Sequence, residues 1–165
     1  MDWCKKGESL EIAFLEQYGA EFKLILNPDK VIKPTVPDFV HTPSNRLADL
    51  KTQNTPFFSS KKLFGLDPQF AVTFNKIDLD RYQQLYPNIL IYYSISWLAT
   101  SIVFDSGASI KVQPLSGVWG IRLENLLPLC GSQNLHEYKQ RKNDTNGNAK
   151  DSYVVDLRSK GFKRL

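Results

Sequence analysis

The sequence predicts a single mixed α/β domain whose core runs in the order helix, three strands, helix and strand. Three segments lead to this prediction: an amphipathic stretch at residues 8–22, an alternating stretch at 47–53, and a nearly continuous apolar stretch at 88–98. The chain has 165 residues, 42% of them hydrophobic and 23% charged, and is long enough to bury one core. We expect that core at about residues 5–98. A peripheral hairpin, a helix and a C-terminal strand are expected at about 99–165.

The first predicted element is a helix over residues 8–22. Its apolar positions recur with helical spacing, and one face carries Glu11, Phe14, Leu15, Tyr18 and Phe22. A carboxylate therefore lies in line with an apolar stripe. Either Glu11 stands at the edge of the stripe and reaches water, or it faces a polar site built by a neighbouring element.

A β-hairpin is predicted next. Residues 31–40 are expected to be extended, because Pro34 and Pro37 oppose a helix. The polar cluster at 41–46 is typical of a turn. Residues 47–53 then alternate, so that one face of the second strand carries Leu47, Asp49, Lys51 and Gln53.

The remaining elements follow from shorter patterns. We expect a strand at 69–75, a helix at 78–86 with Asp78 as its N-cap, and a strand at 88–98. The last of these is apolar almost throughout, which is typical of a strand covered on both faces. Further along, we expect a hairpin at 100–115 around Asp105-Ser106-Gly107, a short helix at 120–129 ended by Pro128, an aperiodic polar loop at 140–152 and a strand at 152–158.

Composition argues against several protein classes. The two cysteines, Cys4 and Cys130, are far apart and belong to no CxxC pattern, so neither a zinc site nor a disulfide framework is indicated. No apolar run approaches the roughly 18 residues that a membrane-spanning helix needs. The N-terminus lacks the apolar centre of a secretion signal. We therefore expect a cytoplasmic protein with no membrane partner.

The positive charge is concentrated near the C-terminus. Residues 136–165 contain eight basic and four acidic side chains, which accounts for the whole net charge of +4. Such a basic segment on a neutral body suggests a polyanionic partner, although a solvated tail would have the same composition.

The predicted hairpin brings two acidic side chains close together. Asp38 ends the first strand, Asp49 lies on the second, and cross-strand neighbours are about 5 Å apart. Two such carboxylates repel each other unless a cation lies between them, and oxygen ligands suit Mg²⁺. The Leu50 carbonyl and Glu11 could complete a metal site, while Lys51 could orient an attacking water or balance charge in a transition state. Gln53 could hold that water or a phosphate oxygen. A plain surface Asp-x-Lys pair is the alternative.

These residues carry a resemblance to a known group of enzymes. The segments "KGESLEIAF", "VPDF" and "ADLKTQ" together resemble the PD-(D/E)XK nuclease superfamily, over roughly residues 5–98. The resemblance implies a restriction-endonuclease-like fold, with Asp38, Asp49 and Lys51 as catalytic positions. It also implies a helix glutamate, for which Glu11 is the candidate and Glu8 a rival. The sequence has Asp at position 49, where Glu is commoner.

Within that superfamily, the chain resembles the cyanobacterial homing endonucleases encoded in group I introns. This resemblance implies Mg²⁺-dependent double-strand cleavage of duplex DNA at a long target, with Ca²⁺ or Mn²⁺ as possible substitutes for Mg²⁺ and no small-molecule substrate. Because one site cuts one strand, we expect a homo-oligomer that is a dimer at minimum, or a tetramer as the resemblance implies. The alternatives are a type II restriction endonuclease, a Holliday-junction resolvase, and a non-catalytic DNA-binding protein.

Several polar and basic residues are candidates for DNA contact. Some lie just past the predicted catalytic strand, where they would meet the phosphate backbone near the cut: Ser59, Ser60, Lys61 and Lys62. Others lie in the second hairpin and in the polar loop and have side chains suited to base edges or phosphates: Lys111, Gln113, Lys139, Arg141, Lys142, Asn146, Asn148 and Lys150.

Overall fold

Short runs of strands are separated by helices in this computed structural model, which describes residues 3–138 and 150–165. The helices are α1 (Trp3–Phe22), α2 (Ser60–Phe64), α3 (Lys76–Leu85) and α4 (Leu123–Leu126), with 3₁₀ turns at Pro28–Val31, Leu127–Leu129 and Ser132–Asn134. The strands are β1 (Leu24–Leu26), β2 (Phe39–His41), β3 (Arg46–Gln53), β4 (Ala71–Asn75), β5 (Leu90–Ser96), β6 (Ser101–Val103), β7 (Ser109–Lys111), β8 (Ser116–Arg122), β9 (Leu135–His136), β10 (Ser152–Asp156) and β11 (Lys163–Arg164).

The main sheet has six strands in the order β1-β2-β3-β5-β8-β11. Strands β3 and β5 run parallel, with Ala48 opposite Leu90 and Gln53 opposite Ile95. The other neighbouring strands in this sheet are antiparallel. The fold is therefore mixed α/β, as the sequence predicted, and the hairpin β2–β3 is confirmed.

The central strand β5 is covered on both faces, as its apolar run predicted. Ile91 and Tyr93 lie in the larger apolar cluster, together with Phe74 of β4. Tyr92 lies in a second cluster beneath α1, where its neighbours include Phe14. The predicted apolar stripe of α1 is thus confirmed, and it packs the C-terminal half of that helix against the sheet.

The strand predicted at 69–75 forms as β4 but joins a different sheet. It pairs antiparallel with β10, with Ala71 opposite Asp156, and β9 completes this sheet of three strands. The additional strand of the main sheet is instead β1, which pairs with β2. A three-residue strand has too little sequence to show alternation, so it was not predicted.

Two predicted segments are wrong in part. Residues 31–40 are not extended throughout, because Asn27 caps a 3₁₀ turn and the Lys33 N–H returns to the Asp29 carbonyl at 2.9 Å. Residues 120–129 begin as a strand, since β8 pairs with β5 over seven residues and satisfies its open edge. Only Leu123–Leu126 is α-helical there.

Two other predictions have clear outcomes. The hairpin around Asp105-Ser106-Gly107 is confirmed as β6–β7, and Gly107 takes the positive φ of 83° that its turn requires. Helix α3 begins earlier than predicted, and its N-cap position is Asn75 rather than Asp78. Asp78 therefore lies in the first turn of the helix, where its side chain is available for other contacts.

The C-terminal third contributes to the main sheet as well as to the periphery. Both β8 and β11 lie in that sheet, although this part of the chain was predicted to be accessory. Across residues 3–138 and 150–165, none of the helices has the length and apolar character needed to span a membrane.

Candidate active site

The hairpin β2–β3 makes Asp38 and Asp49 neighbours. Phe39 pairs with Ala48, so Asp38 and Asp49 are the next positions along the two strands. The backbone N–H of Leu50 donates a hydrogen bond of 2.9 Å to Asp38 Oδ2. Both acidic residues are buried, with exposed fractions of 9% for Asp38 and 4% for Asp49. The two predicted carboxylates therefore meet beside the middle of β3.

Burial makes Asp49 an unusual carboxyl group. It raises the pKa of Asp49 to about 6, against the opposing charge of Lys51 and with a further contribution from the charge of Asp38. Within the described part of the chain, Asp49 Oδ2 is buried and accepts no aligned hydrogen bond. Burial also raises the pKa of Asp38, although hydrogen bonds from Lys30 and Leu50 act in the opposite direction.

Lys51 is enclosed by acidic and aromatic groups. Its Nζ lies 2.7 Å from Asp49 Oδ2 and 2.8 Å from Asp78 Oδ2. The same ammonium lies 5.3 Å from the ring centroid of Phe74 and 5.6 Å from that of Tyr82. Burial alone would lower the pKa of Lys51, but the surrounding negative charge raises it well above its usual value. Lys51 therefore remains an ammonium and acts as a positive charge and hydrogen-bond donor.

Asp78 is a member of the site that the sequence did not reveal. It lies in the first turn of α3, and its Oδ1 accepts a hydrogen bond of 2.9 Å from Arg81 Nη2. Burial would raise the pKa of Asp78, yet the charge of Lys51 lowers it. The available signal was an acidic residue three positions before an arginine, in a helix that leads into the strand beside β3.

Lys30 is a second unforeseen member. Its Nζ lies 2.6 Å from both Glu11 Oε2 and Asp38 Oδ1. The predicted Glu11 thus faces the site, but a lysine stands between it and Asp38. The Lys30 pairs and the pairs of Lys51 and Arg81 form two groups, which meet at the neighbouring carboxylates of Asp38 and Asp49. The two groups together are called the ionic cluster here, and they contain four carboxylates and three cations: Glu11, Asp38, Asp49, Asp78, Lys30, Lys51 and Arg81.

Gln53 lies on the same cleft as Lys51 but has a structural role. The cleft has a volume of about 340 Å³ and is also lined by Thr73, Asn75 and Tyr93. Gln53 Oε1 accepts a hydrogen bond of 3.0 Å from the Thr73 N–H, and Nε2 donates one of 2.9 Å to the Thr55 carbonyl. Its amide therefore joins β3 to β4, while its predicted contact with a water or a phosphate oxygen stays a prediction.

The donor set suits a hard divalent cation. Carboxylate and carbonyl oxygens are the ligands of Mg²⁺, Mn²⁺ and Ca²⁺. The N–H and C=O of a strand residue point to the same side, so the Leu50 carbonyl faces the edge where Asp38 lies. Over residues 3–138 and 150–165, no three acidic, histidine or cysteine side chains stand together as a metal-binding group. The oxygen atoms of these residues are suitable ligands for such a cation. Lysine ammonium groups contact the carboxylates instead, so a lysine must move before a cation can bind.

The predicted DNA-contact residues have mixed outcomes. Lys61 and Lys62 are exposed on α2, Ser59 is half-buried just before it, and Lys111, Gln113 and Lys150 are exposed. Ser60 is wrong as a phosphate contact, because it is fully buried and its hydroxyl donates to the Leu66 carbonyl at 2.9 Å. Five residues of the predicted reading loop lie outside the described residues: Lys139, Arg141, Lys142, Asn146 and Asn148.

Comparisons with protein-family models, with curated proteins and with solved structures gave no match to this chain. A functional assignment must therefore come from the geometry and chemistry of the ionic cluster.

Proposed function

We propose that the chain is a Mg²⁺-dependent, site-specific DNA endonuclease of the PD-(D/E)XK type, which makes double-strand breaks at a long target as homing endonucleases do. The observation that carries this proposal is the hydrogen bond from the Leu50 N–H to Asp38. This hydrogen bond holds Asp38, just before β2, beside the Asp49-Leu50-Lys51 triplet of β3. The motif is thus supported by a three-dimensional contact as well as by sequence spacing.

The order of elements supports the same proposal. Helix α1 is followed by the three sheet strands β1, β2 and β3. After α2 and the β4 strand of the other sheet come α3 and then β5, which lies parallel to β3. This order is compatible with the restriction-endonuclease-like core that the sequence resemblance implies, with the acidic residues on the hairpin and the glutamate on the first helix. The additional sheet and the hairpin β6–β7 lie outside that core.

Asp38, Asp49, the Leu50 carbonyl and Glu11 would hold the cation. When bound, Mg²⁺ would acidify a water and withdraw negative charge from the scissile phosphate. Lys51 stays protonated between Asp49 and Asp78, so it balances the charge that builds up on the phosphorus oxygens during in-line attack. The products would carry 5′-phosphate ends.

A double-strand break requires two such sites, so the active form is a homo-oligomer, a dimer at minimum or a tetramer. Two apolar segments of the sequence are candidates for the interface, residues 101–107 and residues 118–129, although both could equally belong to the core. Most of the segment 118–129 belongs to the core, with Leu123 and Leu126 buried. The hairpin β6–β7 is the better candidate, because Val103 is 71% exposed there.

The test is cleavage of supercoiled plasmids that carry a library of random inserts, with Mg²⁺ and sequencing of the ends. We expect the wild-type chain to linearise plasmids that share one long sequence and to leave 5′-phosphates. Asp38→Asn, Asp49→Asn and Lys51→Met should lower the rate by at least about 100-fold. Asp80→Asn and Lys76→Met are matched controls, because this exposed pair on α3 lies 2.6 Å apart and outside the ionic cluster.

Three other results would redirect the assignment. A wild-type chain that binds DNA but leaves every plasmid intact is a non-catalytic DNA-binding protein. Symmetric nicking of a four-way junction, with linear duplex ignored, identifies a resolvase. Undiminished cleavage by Lys51→Met places the chemistry elsewhere on the chain.

A further inference from the structure

The Lys30 ammonium lies between the carboxylates of Glu11 and Asp38, where a divalent cation bound to both would lie. Its Nζ is 2.6 Å from Glu11 Oε2 and 2.6 Å from Asp38 Oδ1. All three side chains are largely buried, with exposed fractions of 14% for Lys30, 15% for Glu11 and 12% for Asp38. This is a built contact, in contrast to a surface ion pair between mobile side chains.

The backbone around Lys30 aims it at this position. Lys30 lies in the 3₁₀ turn Pro28–Val31, and the turn is capped by Asn27, whose Oδ1 accepts from the Asp29 N–H at 3.1 Å. The buried Asn27 side chain also donates to the Pro37 carbonyl at 2.8 Å, and its own N–H donates to the Asp38 carbonyl at 2.8 Å. Asn27 therefore fixes the turn and Asp38 relative to each other.

The ammonium and a divalent cation compete for the same oxygens. Mg²⁺ requires carboxylate oxygens at about 2.1 Å, and Ca²⁺ at about 2.4 Å. An ammonium 2.6 Å from those oxygens would lie within about 5 Å of the cation, where like charges repel strongly in a buried site. Lys30 must therefore leave Glu11 and Asp38 when the site holds a divalent cation.

The lysine side chain is a flexible stem that carries a point charge, so it swings to the nearest negative group. Within its own turn, that group is Asp29, which is exposed and lies before Lys30, while Lys33 repels it. In a nuclease site, a DNA phosphate bound next to the metal would offer charged oxygens close to the position that the ammonium leaves.

We propose that Lys30 is a phosphate-binding residue, whose ammonium pairs with Glu11 and Asp38 until a divalent cation takes those oxygens and then pairs with a DNA phosphate oxygen. This inference rests on the proposed nuclease function. In the metal-bound state the divalent cation replaces the ammonium on the carboxylates, and the released ammonium neutralises a phosphate charge of the substrate.

The first test is calorimetric titration of the full chain with Ca²⁺ in the absence of DNA. Lys30→Met keeps the length of the side chain and removes the competing charge, so it should bind Ca²⁺ at least about tenfold more tightly than the wild type. Lys33→Met is the matched control, two residues past the same turn and outside the ionic cluster, and should bind within about twofold of the wild type. Lys30→Arg keeps the charge and should not gain affinity.

The second test is the salt dependence of binding to a duplex of random sequence. With Ca²⁺ present, Lys30→Met should reduce the slope of log K against log salt by about 0.9, which corresponds to one lost phosphate contact. With EDTA instead, the slope should equal that of the wild type, because Lys30 is then engaged by Glu11 and Asp38. Thermal melting of each variant checks that it is folded at the assay temperature.

Each outcome gives a decision. If Lys30→Met binds Ca²⁺ no more tightly than the wild type, Lys30 does not compete with the cation. If its salt slope for DNA binding in Ca²⁺ equals that of the wild type, Lys30 does not contact a phosphate. If neither the wild type nor Lys30→Met binds Ca²⁺, both this inference and the metal-dependent function fail. If both effects appear but the wild type cuts no plasmid, the Lys30 assignment stands and the nuclease proposal fails.

Discussion

Lys51 and Asp78 form an ion pair of 2.8 Å between β3 and the first turn of α3. The pair links the strand that carries the candidate motif to the helix that leads into the parallel strand β5. Because Lys51 also contacts Asp49 at 2.7 Å, its ammonium is held between two carboxylates. The position of Lys51 therefore depends on a residue outside the sequence motif.

Replacing Asp78 should loosen this arrangement. In Asp78→Asn, Lys51 and Arg81 each lose a charged partner in a largely buried setting, so the free energy of unfolding should fall by about 1–3 kcal/mol. Urea denaturation measures the change. Asp80→Asn, on the exposed side of the same helix, should remain within about 0.5 kcal/mol of the wild type. Equal effects from the two variants would contradict a special role for Asp78.

Asp49 should impose a pH dependence on the metal-free protein. Its pKa is raised from 3.8 to about 6, so between these values the folded state holds a proton that the unfolded state has released. A rise in pH through this window therefore favours unfolding. The unfolding free energy of the wild type minus that of Asp49→Asn should fall by roughly 3 kcal/mol between about pH 3 and about pH 7, most of it between pH 4 and pH 6, and stay level above about pH 7.

Denaturation in EDTA at several pH values measures this difference. The sign of the slope is the decisive result. A difference that grows with pH would mean that Asp49 is stabilised as a carboxylate in the folded protein, contrary to its burial.

Asn27 should be essential to the geometry of the site. Its side chain is 2% exposed, donates to the Pro37 carbonyl at 2.8 Å and accepts from the Asp29 N–H. Asn27→Ala leaves the buried Pro37 carbonyl and the Asp29 N–H without these partners, so the unfolding free energy should fall by about 2 kcal/mol. Asn88→Ala, at an exposed position, is the matched control, and urea denaturation of the two variants gives the comparison. Equal stability of the two variants would show that the Asn27 contacts contribute nothing.

Gln53 should affect stability more than chemistry. Gln53→Ala removes the acceptor of the Thr73 N–H and the donor to the Thr55 carbonyl, so it should lower the unfolding free energy by about 1–2 kcal/mol. Its cleavage rate, measured at a temperature where it is folded, should stay within about threefold of the wild type. Gln83→Ala, at an exposed position on α3, is the control for stability. A rate loss as large as that expected for Lys51→Met would restore Gln53 to the catalytic group.

Elements with a long local pattern were predictable from the sequence. The apolar stripe of α1, the turn before β3 and the apolar run of β5 each extend over several residues, and all three appear in the structure. The same holds for Asp38 and Asp49, because a hairpin with a short turn brings its own strands together without help from the rest of the chain.

The tertiary structure alone decided the rest. Strands β1 and β11 are too short to show a period, and the choice of β8 as partner for β5 is a non-local pairing that no local pattern encodes. Lys30 and Asp78 entered the ionic cluster for a similar reason. Which long charged side chain reaches a buried carboxylate depends on the path of a turn or the start of a helix in space, and sequence spacing does not fix that path.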